Sequence, residues 1–212
     1  YVLTRRAAAY ALSDLFGMWM FYTVQVEDNH NGIETGPIAI YSDGSYDANL
    51  KDEDGTPSSR DGVVAISSDG VASFGDGGTV TYVEFDLTAG NDVFLCAWSE
   101  GPPDNVCTFG IGIKRDGTYT IADAIGTWRY SLLSVGHSSQ SSARGTLCIY
   151  ANGTYAMRTI ESDGDVIHET GTVSIAPNGI ITFAGQVALQ LSAGRTVIAG
   201  SLATAKCTGM GV

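Results

Sequence analysis

Through its C-terminal half the chain alternates apolar and polar residues, or runs short and β-branched, and nearly every run ends at glycine with Asn or Asp. A period of two over four to eight residues is the pattern of a strand with one buried face. It predicts eight strands there: Thr127–Leu133, Gly145–Tyr150, Thr154–Glu161, Glu169–Ala176, Ile180–Ala184, Val187–Ser192, Thr196–Leu202 and Cys207–Val212. The dipeptides Asp43-Gly44, Asp69-Gly70, Asn152-Gly153 and Asn178-Gly179 suit two-residue hairpin turns. Strands joined this tightly form an antiparallel meander, and about eight of them remove their exposed edges best by closing into a barrel. A sandwich is the alternative. Helix is confined to Ala8–Leu15, a turn or two, with a weaker counterpart at Ile121–Ile125.

The pattern is written twice. At an offset of 109, Tyr10 falls on Tyr119, Asp14 on Asp123, Gly17 on Gly126, Trp19 on Trp128, Tyr46 on Tyr155, Gly62 on Gly171 and Phe74 on Phe183. The offset then shortens to 104, where Leu87-Thr88-Ala89-Gly90 meets Leu191-Ser192-Ala193-Gly194, and to 100, where Cys107-Thr108 meets Cys207-Thr208. Length changes confined to loops are those of a duplicated domain. The expected fold is therefore all-β: two tandem antiparallel meander modules, barrel-like or sandwich, related by internal duplication. Residues 1–9 form an N-terminal strand or linker, 10–116 the first module and 117–212 the second. Aromatic residues repeated at equivalent positions, Trp19/Trp128, Tyr46/Tyr155 and Phe74/Phe183, are assigned to the two cores, since equivalent sites share packing before they share ligands.

The opening of each module carries a resemblance. Leu12-Ser13-Asp14-Leu15-Phe16-Gly17-Met18-Trp19 and Ile121-Ala122-Asp123-Ala124-Ile125-Gly126-Thr127-Trp128 resemble the start of a lipocalin-type (calycin) barrel. There a short helical turn plugs one end and the Trp of Gly-x-Trp packs at the base. The whole pattern, with Arg5-Arg6 before the opening and Gly171-Thr172-Val173-Ser174-Ile175 followed by Asn178-Gly179, also resembles tandem repeat modules of uncharacterised bacterial surface and secreted proteins. That resemblance implies an extracellular or cell-surface location and brings no activity with it.

Charge narrows the partners. The chain of 212 residues has a net charge of −12, with 17 acidic against 6 basic groups in residues 1–115 and 6 against 5 in residues 116–212. An acidic surface repels a phosphate backbone, so nucleic acid is excluded as a partner. With no run of ~18 apolar residues no membrane span is expected. Without a signal peptide or initiating Met the chain reads as a mature or excised piece of a soluble protein.

Four cysteines in tandem β modules point to an oxidising compartment, and the expected bridges are Cys96–Cys107 and Cys148–Cys207, one per module. Chemistry is otherwise sparse. His30, His137 and His168 fall at predicted turns or strand ends, and none has a His at its equivalent position. No nucleophile elbow and no phosphate-binding loop occur, so no catalytic residue is nominated and the chain is not expected to be an enzyme. Carboxylates cluster in equivalent loops, with Asp52 and Asp54 in one and Asp163 and Asp165 in the other. These are calcium candidates, and Glu27-Asp28-Asn29-His30-Asn31-Gly32 mimics half of a calcium loop without its closing Glu; solvated turns are the alternative, so no cofactor is expected, with calcium the one possible ion. Trp98 has no twin and is the candidate contact for an adhesin.

The ends are in phase with each other. Arg5-Arg6 matches Lys114-Arg115, so Tyr1, Val2, Leu3, Thr4, Arg5 and Arg6 form the analogue of a strand that ends a module. Cys207, Thr208, Gly209, Met210, Gly211 and Val212 reach only part of the way along the equivalent passage, Cys107 to Arg115. One copy's tail followed by another's head completes it. The sequence thus points to self-association head to tail, by strand complementation between subunits or as part of a longer covalent array, in a bacterial extracellular fibre or surface layer. A lipocalin-like binder of small ligands is the rival from another class, and a surface adhesin the third.

Overall fold

The structure, a computed structural model, describes residues 7, 9–26, 31–75, 81–99, 107–135, 140–184, 187–203 and 208–211. The chain divides into two units, Tyr1–Asp116 and Gly117–Val212. In the first, alternating segments become β1 (Gly17–Val26), β2 (Asn31–Ile40), β3 (Ser45–Asp52), β4 (Pro57–Ile66), β5 (Val71–Gly75), β6 (Thr81–Leu87), β7 (Val93–Ser99) and β8 (Cys107–Arg115). The second contains β9 (Gly126–Val135), β10 (Gln140–Ile149), β11 (Thr154–Glu161), β12 (Val166–Ile175), β13 (Ile180–Phe183), β14 (Val187–Leu191), β15 (Ile198–Ala203) and β16 (Thr208–Gly211). Each set is an antiparallel meander closed into a barrel, β8 returning to β1 and β16 to β9. Closure gives every strand a neighbour on both sides, which resolves the choice between barrel and sandwich. Among the described residues no helix is long and apolar enough to cross a membrane.

The duplication is visible in the ladders. Trp19 pairs with Ile38 across β1–β2, and Trp128 with Leu147 across β9–β10, both at the offset of 109. One equivalence changes. Cys107 pairs with Val26 and Ser99, whereas the residue holding that place in the second barrel, opposite Val135 and Ala203, is Thr208. The final offset is therefore 101, and aligning the two cysteines had slipped the strand by one residue.

Several boundaries move. β10 and β12 start at Gln140 and Val166, earlier than the apolar pattern alone predicts, because ladder bonds use the backbone and do not need apolar side chains. Among the described residues helix is limited to one 3-10 turn per unit, Leu12–Asp14 and Ile121–Asp123, each preceded by an extended residue. The Asp-Gly and Asn-Gly turns are three-residue rather than two-residue loops. Tyr41 N–H donates to Ser45 O and Gly44 N–H to Tyr41 O; the same bonds recur at Tyr150, Thr154 and Gly153. Only the glycines, Gly44 at φ 84° and Gly153 at φ 78°, take the left-handed conformation. Asp43 and Asn152 instead accept from the N–H two residues on, at 2.9 and 3.1 Å.

Inward side chains fill the first barrel. Trp19, Phe21, Tyr46, Phe74, Phe85 and Phe94 form one aromatic cluster, with centroids 4.6 Å apart for Trp19–Phe94 and Phe85–Phe94 and edge-on geometry at Tyr46–Phe74. The second core repeats the Tyr–Phe pair, Tyr155 with Phe183 at 5.2 Å and 87°, on a mainly aliphatic background.

A further set of buried side chains lies on the outer face of the first barrel. Tyr22, Val24, Ile33, Val93, Ile111 and Ile113 are all buried, yet by strand alternation they point away from the interior that Trp19 and Phe21 occupy. The corresponding positions on β9 and β10 include Ser131, Leu133 and Ser142, all exposed. The two copies share an inside and differ outside.

Candidate assembly site

The base of each barrel is built from the repeated opening. In the first, Asp14 accepts from Ala11 N–H at 2.8 Å and so closes the 3-10 turn. That presents the Leu15 carbonyl to the indole Nε1–H of Trp19 at 2.7 Å. In the second, Asp123 accepts from Thr120 N–H at 2.8 Å, and Trp128 Nε1–H donates to Ala124 O at 2.8 Å. Tyr10 and Tyr119 dock on equivalent hairpins through their backbone, donating to Ser68 O and Pro177 O.

The cations that finish the bases differ. Lys114 on β8 stands opposite Trp19, its ammonium 5.4 Å from the indole centroid, and donates to Asp14 O at 2.8 Å. Desolvation there pulls the Lys114 pKa down, opposed by the charges of Asp14, Asp116 and Asp92. In the second barrel the cation is Arg195, from the loop between β14 and β15. It pairs with the Asp123 carboxylate at 2.6 Å and lies over the Tyr119 ring at 5.3 Å. The Thr120 N–H first and Arg195 next hold the Asp123 carboxyl below the usual range. Neither cation was nominated from sequence. Lys114 carried a signal, since its match with Arg5 was legible, whereas Arg195 lies where the two copies differ in length.

The two Trp positions are unequal as a result. Trp19 is 0 % exposed, while Trp128 is only partly buried. β8 covers β1 from Met18 to Val26, but among the described residues β16 covers β9 only from Leu132 to Val135. The lane beside Thr127–Ser131 has no described strand in it, and Leu133 is 42 % exposed.

Of the expected assembly strands, Thr208, Gly209, Met210 and Gly211 thus form β16 at this edge, while Tyr1, Val2, Leu3, Thr4, Arg5, Arg6, Cys207 and Val212 lie outside the described residues. The expected Cys96–Cys107 bridge is not formed, and both thiols are free. Cys96 pairs with Gly110, three residues from Cys107, and faces the interior, whereas Cys107 faces out; the two cannot reach bonding distance. Burial pushes the Cys96 thiol well above its ordinary pKa. Cys148 is also free, with its sulfur 3.6 Å from Thr127 Oγ1.

The calcium candidates serve their turns. Asp52 Oδ1 accepts from Asp54 N–H and Thr56 N–H, and Asp163 Oδ1 accepts from Asp165 N–H. Among the described residues no three His, Cys, Asp or Glu groups are placed to hold a metal ion. The Trp98 backbone pairs with Thr108, and its side chain lies outside what is described.

Polar groups enter both interiors near the mouth. Arg60 forks onto Glu34 at 2.7 and 2.9 Å in the first barrel. In the second, Tyr155 donates to Glu169 and Tyr130 shares a hydrogen bond with Thr159. Burial, then the Glu169 carboxylate, pushes the Tyr155 phenol up to about 12.

No family model and no curated protein matches this chain. Among solved structures, one similar chain is a protein of unknown function from the DUF3598 family of Nostoc punctiforme PCC 73102, 10% identical, covering 94% of this chain and 96% of that one with a TM-score of 0.31. Another is a candidate outer membrane protein from Bacteroides fragilis NCTC 9343, 9% identical, covering 94% and 97% with a TM-score of 0.27.

Proposed function

We propose that this chain is a non-enzymatic structural unit of a bacterial extracellular or cell-surface assembly, joined to its neighbours by β-strand addition at β9. The observation that supports this reading is the phase of Arg5-Arg6 with Lys114-Arg115, which makes the head of the chain the analogue of the strand that pairs with β1 in the first barrel. Unpaired N–H and C=O groups along a strand are a template for another strand. Joining unlike surfaces head to tail does not close on itself, so repeated addition makes a filament. The filled aromatic interior of the first barrel supports a structural role over ligand carriage, since an eight-stranded barrel is just wide enough for its own side chains.

The test is electron microscopy of native material beside its mass on a denaturing, reducing gel. Filaments from a chain near 22.2 kDa mean assembly of subunits, and filaments from a much larger chain mean a covalent array. Dispersed particles from a 22.2 kDa chain overturn the reading.

A further inference from the structure

The outer surfaces of the two copies differ, yet one large exposed side chain is kept in both. At the offset of 109 Met18 falls on Thr127 and Val63 on Thr172, but Tyr41 falls on Tyr150. The two tyrosines are 47 % and 48 % exposed, so burial in a core does not account for the repetition. Turn geometry does not account for it either. Each tyrosine opens a turn closed by two backbone bonds, and the same two bonds close turns that open with Asp52, Ser67, Glu161 and Ala176. Nor is the phenol hydroxyl the reason: that of Tyr41 donates to Asp47 Oδ2 at 2.9 Å, and Ala156 holds the place of Asp47 in the second barrel. What the two places share is an exposed ring in a turn whose hydroxyl is held by a neighbouring oxygen, Ser45 by Asp43 at 2.6 Å and Thr154 by Asn152 at 2.7 Å.

The rims of the two rings narrow the ligand. A cation suits only the first, where Asp43, Asp47 and, across the ladder from Asp47, Asp61 stand; the second has Asn152, Ala156 and Thr170 instead. An anion meets a net charge of −12. A wholly apolar partner buries the polar side chains of the turn without bonding them, which is costly. A sugar satisfies both rims, because it offers a face of C–H groups edged by uncharged hydroxyls. We propose that Tyr41 and Tyr150 are binding sites for a neutral polysaccharide, each ring stacking on a sugar face while the Ser45 and Thr154 oxygens accept from sugar hydroxyls. The carboxylates beside Tyr41 accept stronger, charge-assisted bonds from further hydroxyls, which makes the first site the tighter one. Binding of this kind is independent of assembly.

Saturation-transfer NMR on the full chain reads such binding whether the chain is single or assembled. The probes are cellohexaose, laminarihexaose, maltohexaose, mannohexaose and chitohexaose, with an oligomer of galacturonic acid as the anionic control. At least one neutral probe is expected to receive saturation, strongest on the C–H protons of one sugar face, and the control none. Tyr41→Ala is expected to weaken binding about fivefold, Tyr150→Ala less, and the pair to abolish it, while Tyr41→Phe and Tyr150→Phe keep most of it. Leucine at both positions, which keeps an apolar side chain without a ring, is expected to match the alanine pair at an unchanged Tm. No saturation of any neutral probe, binding of the acidic oligomer alone, or binding that survives loss of both rings overturns the proposal.

Discussion

Phe94 lies across the ladder from Gly112, and its ring fills the space that a side chain at residue 112 would occupy. Glycine is needed there because the aromatic cluster of the first barrel extends over β8. Gly112→Ala forces the Phe94 ring off its neighbours Trp19 and Phe85 and is expected to cost about 2 kcal/mol. Urea unfolding monitored by fluorescence measures it; a variant as stable as the parent would mean that the ring has room to move.

The two tryptophans should answer differently to the same substitution. Trp19→Phe removes part of a fully buried indole and leaves the buried Leu15 carbonyl without its donor, an expected loss of about 3 kcal/mol. Trp128→Phe removes the same bond from a partly exposed site and is expected to cost about 1 kcal/mol. Equal losses in chemical denaturation would contradict the difference in burial.

Asp123 ties stability to acid. Its carboxyl is held below the usual range in the folded chain, so its contribution is fully present above about pH 4 and is lost as pH falls through the depressed folded value. Asp123→Asn is expected to lower the Tm at pH 7, and the difference from the parent to shrink as the pH falls below the ordinary carboxylate range. A difference between the two chains that persisted undiminished into acid would assign the effect to something other than charge.

Thiol reactivity reports on the strand register. Cys107 is exposed and is expected to be alkylated first, Cys148 more slowly, and inward-facing Cys96 only in denaturant. Peptide mapping after timed alkylation resolves the three. A Cys96–Cys107 cross-linked peptide in a non-reducing digest would contradict the β7–β8 pairing.

Much of the architecture was legible because it depends on properties written into neighbouring residues. Alternation gives strands, glycine gives turns, and the recurrence of Trp19 as Trp128 with its flanking residues gives the duplicated barrel base. What escaped were relations between distant residues. Lys114 reaches Asp14 only once β8 has come back to β1, and no local pattern marks that return. Cys96 and Cys107 are close in sequence, which suggested a bridge, but opposite faces of adjacent strands separate them. The last strand lay between these cases: its end-of-module phase was readable, while its register against β9 required the pairing of β16 itself.

The closure of the barrels has a mechanical meaning. The first is sealed by nine residue pairs between β1 and β8, the second, among the described residues, by four between β9 and β16. A load that pulls β8 from β1 works against all nine of the pairs in the first seam. The aromatic cluster behind the β1–β8 seam, with Trp19, Phe21 and Phe94 in contact, adds packing that such a load must also break before the first barrel opens.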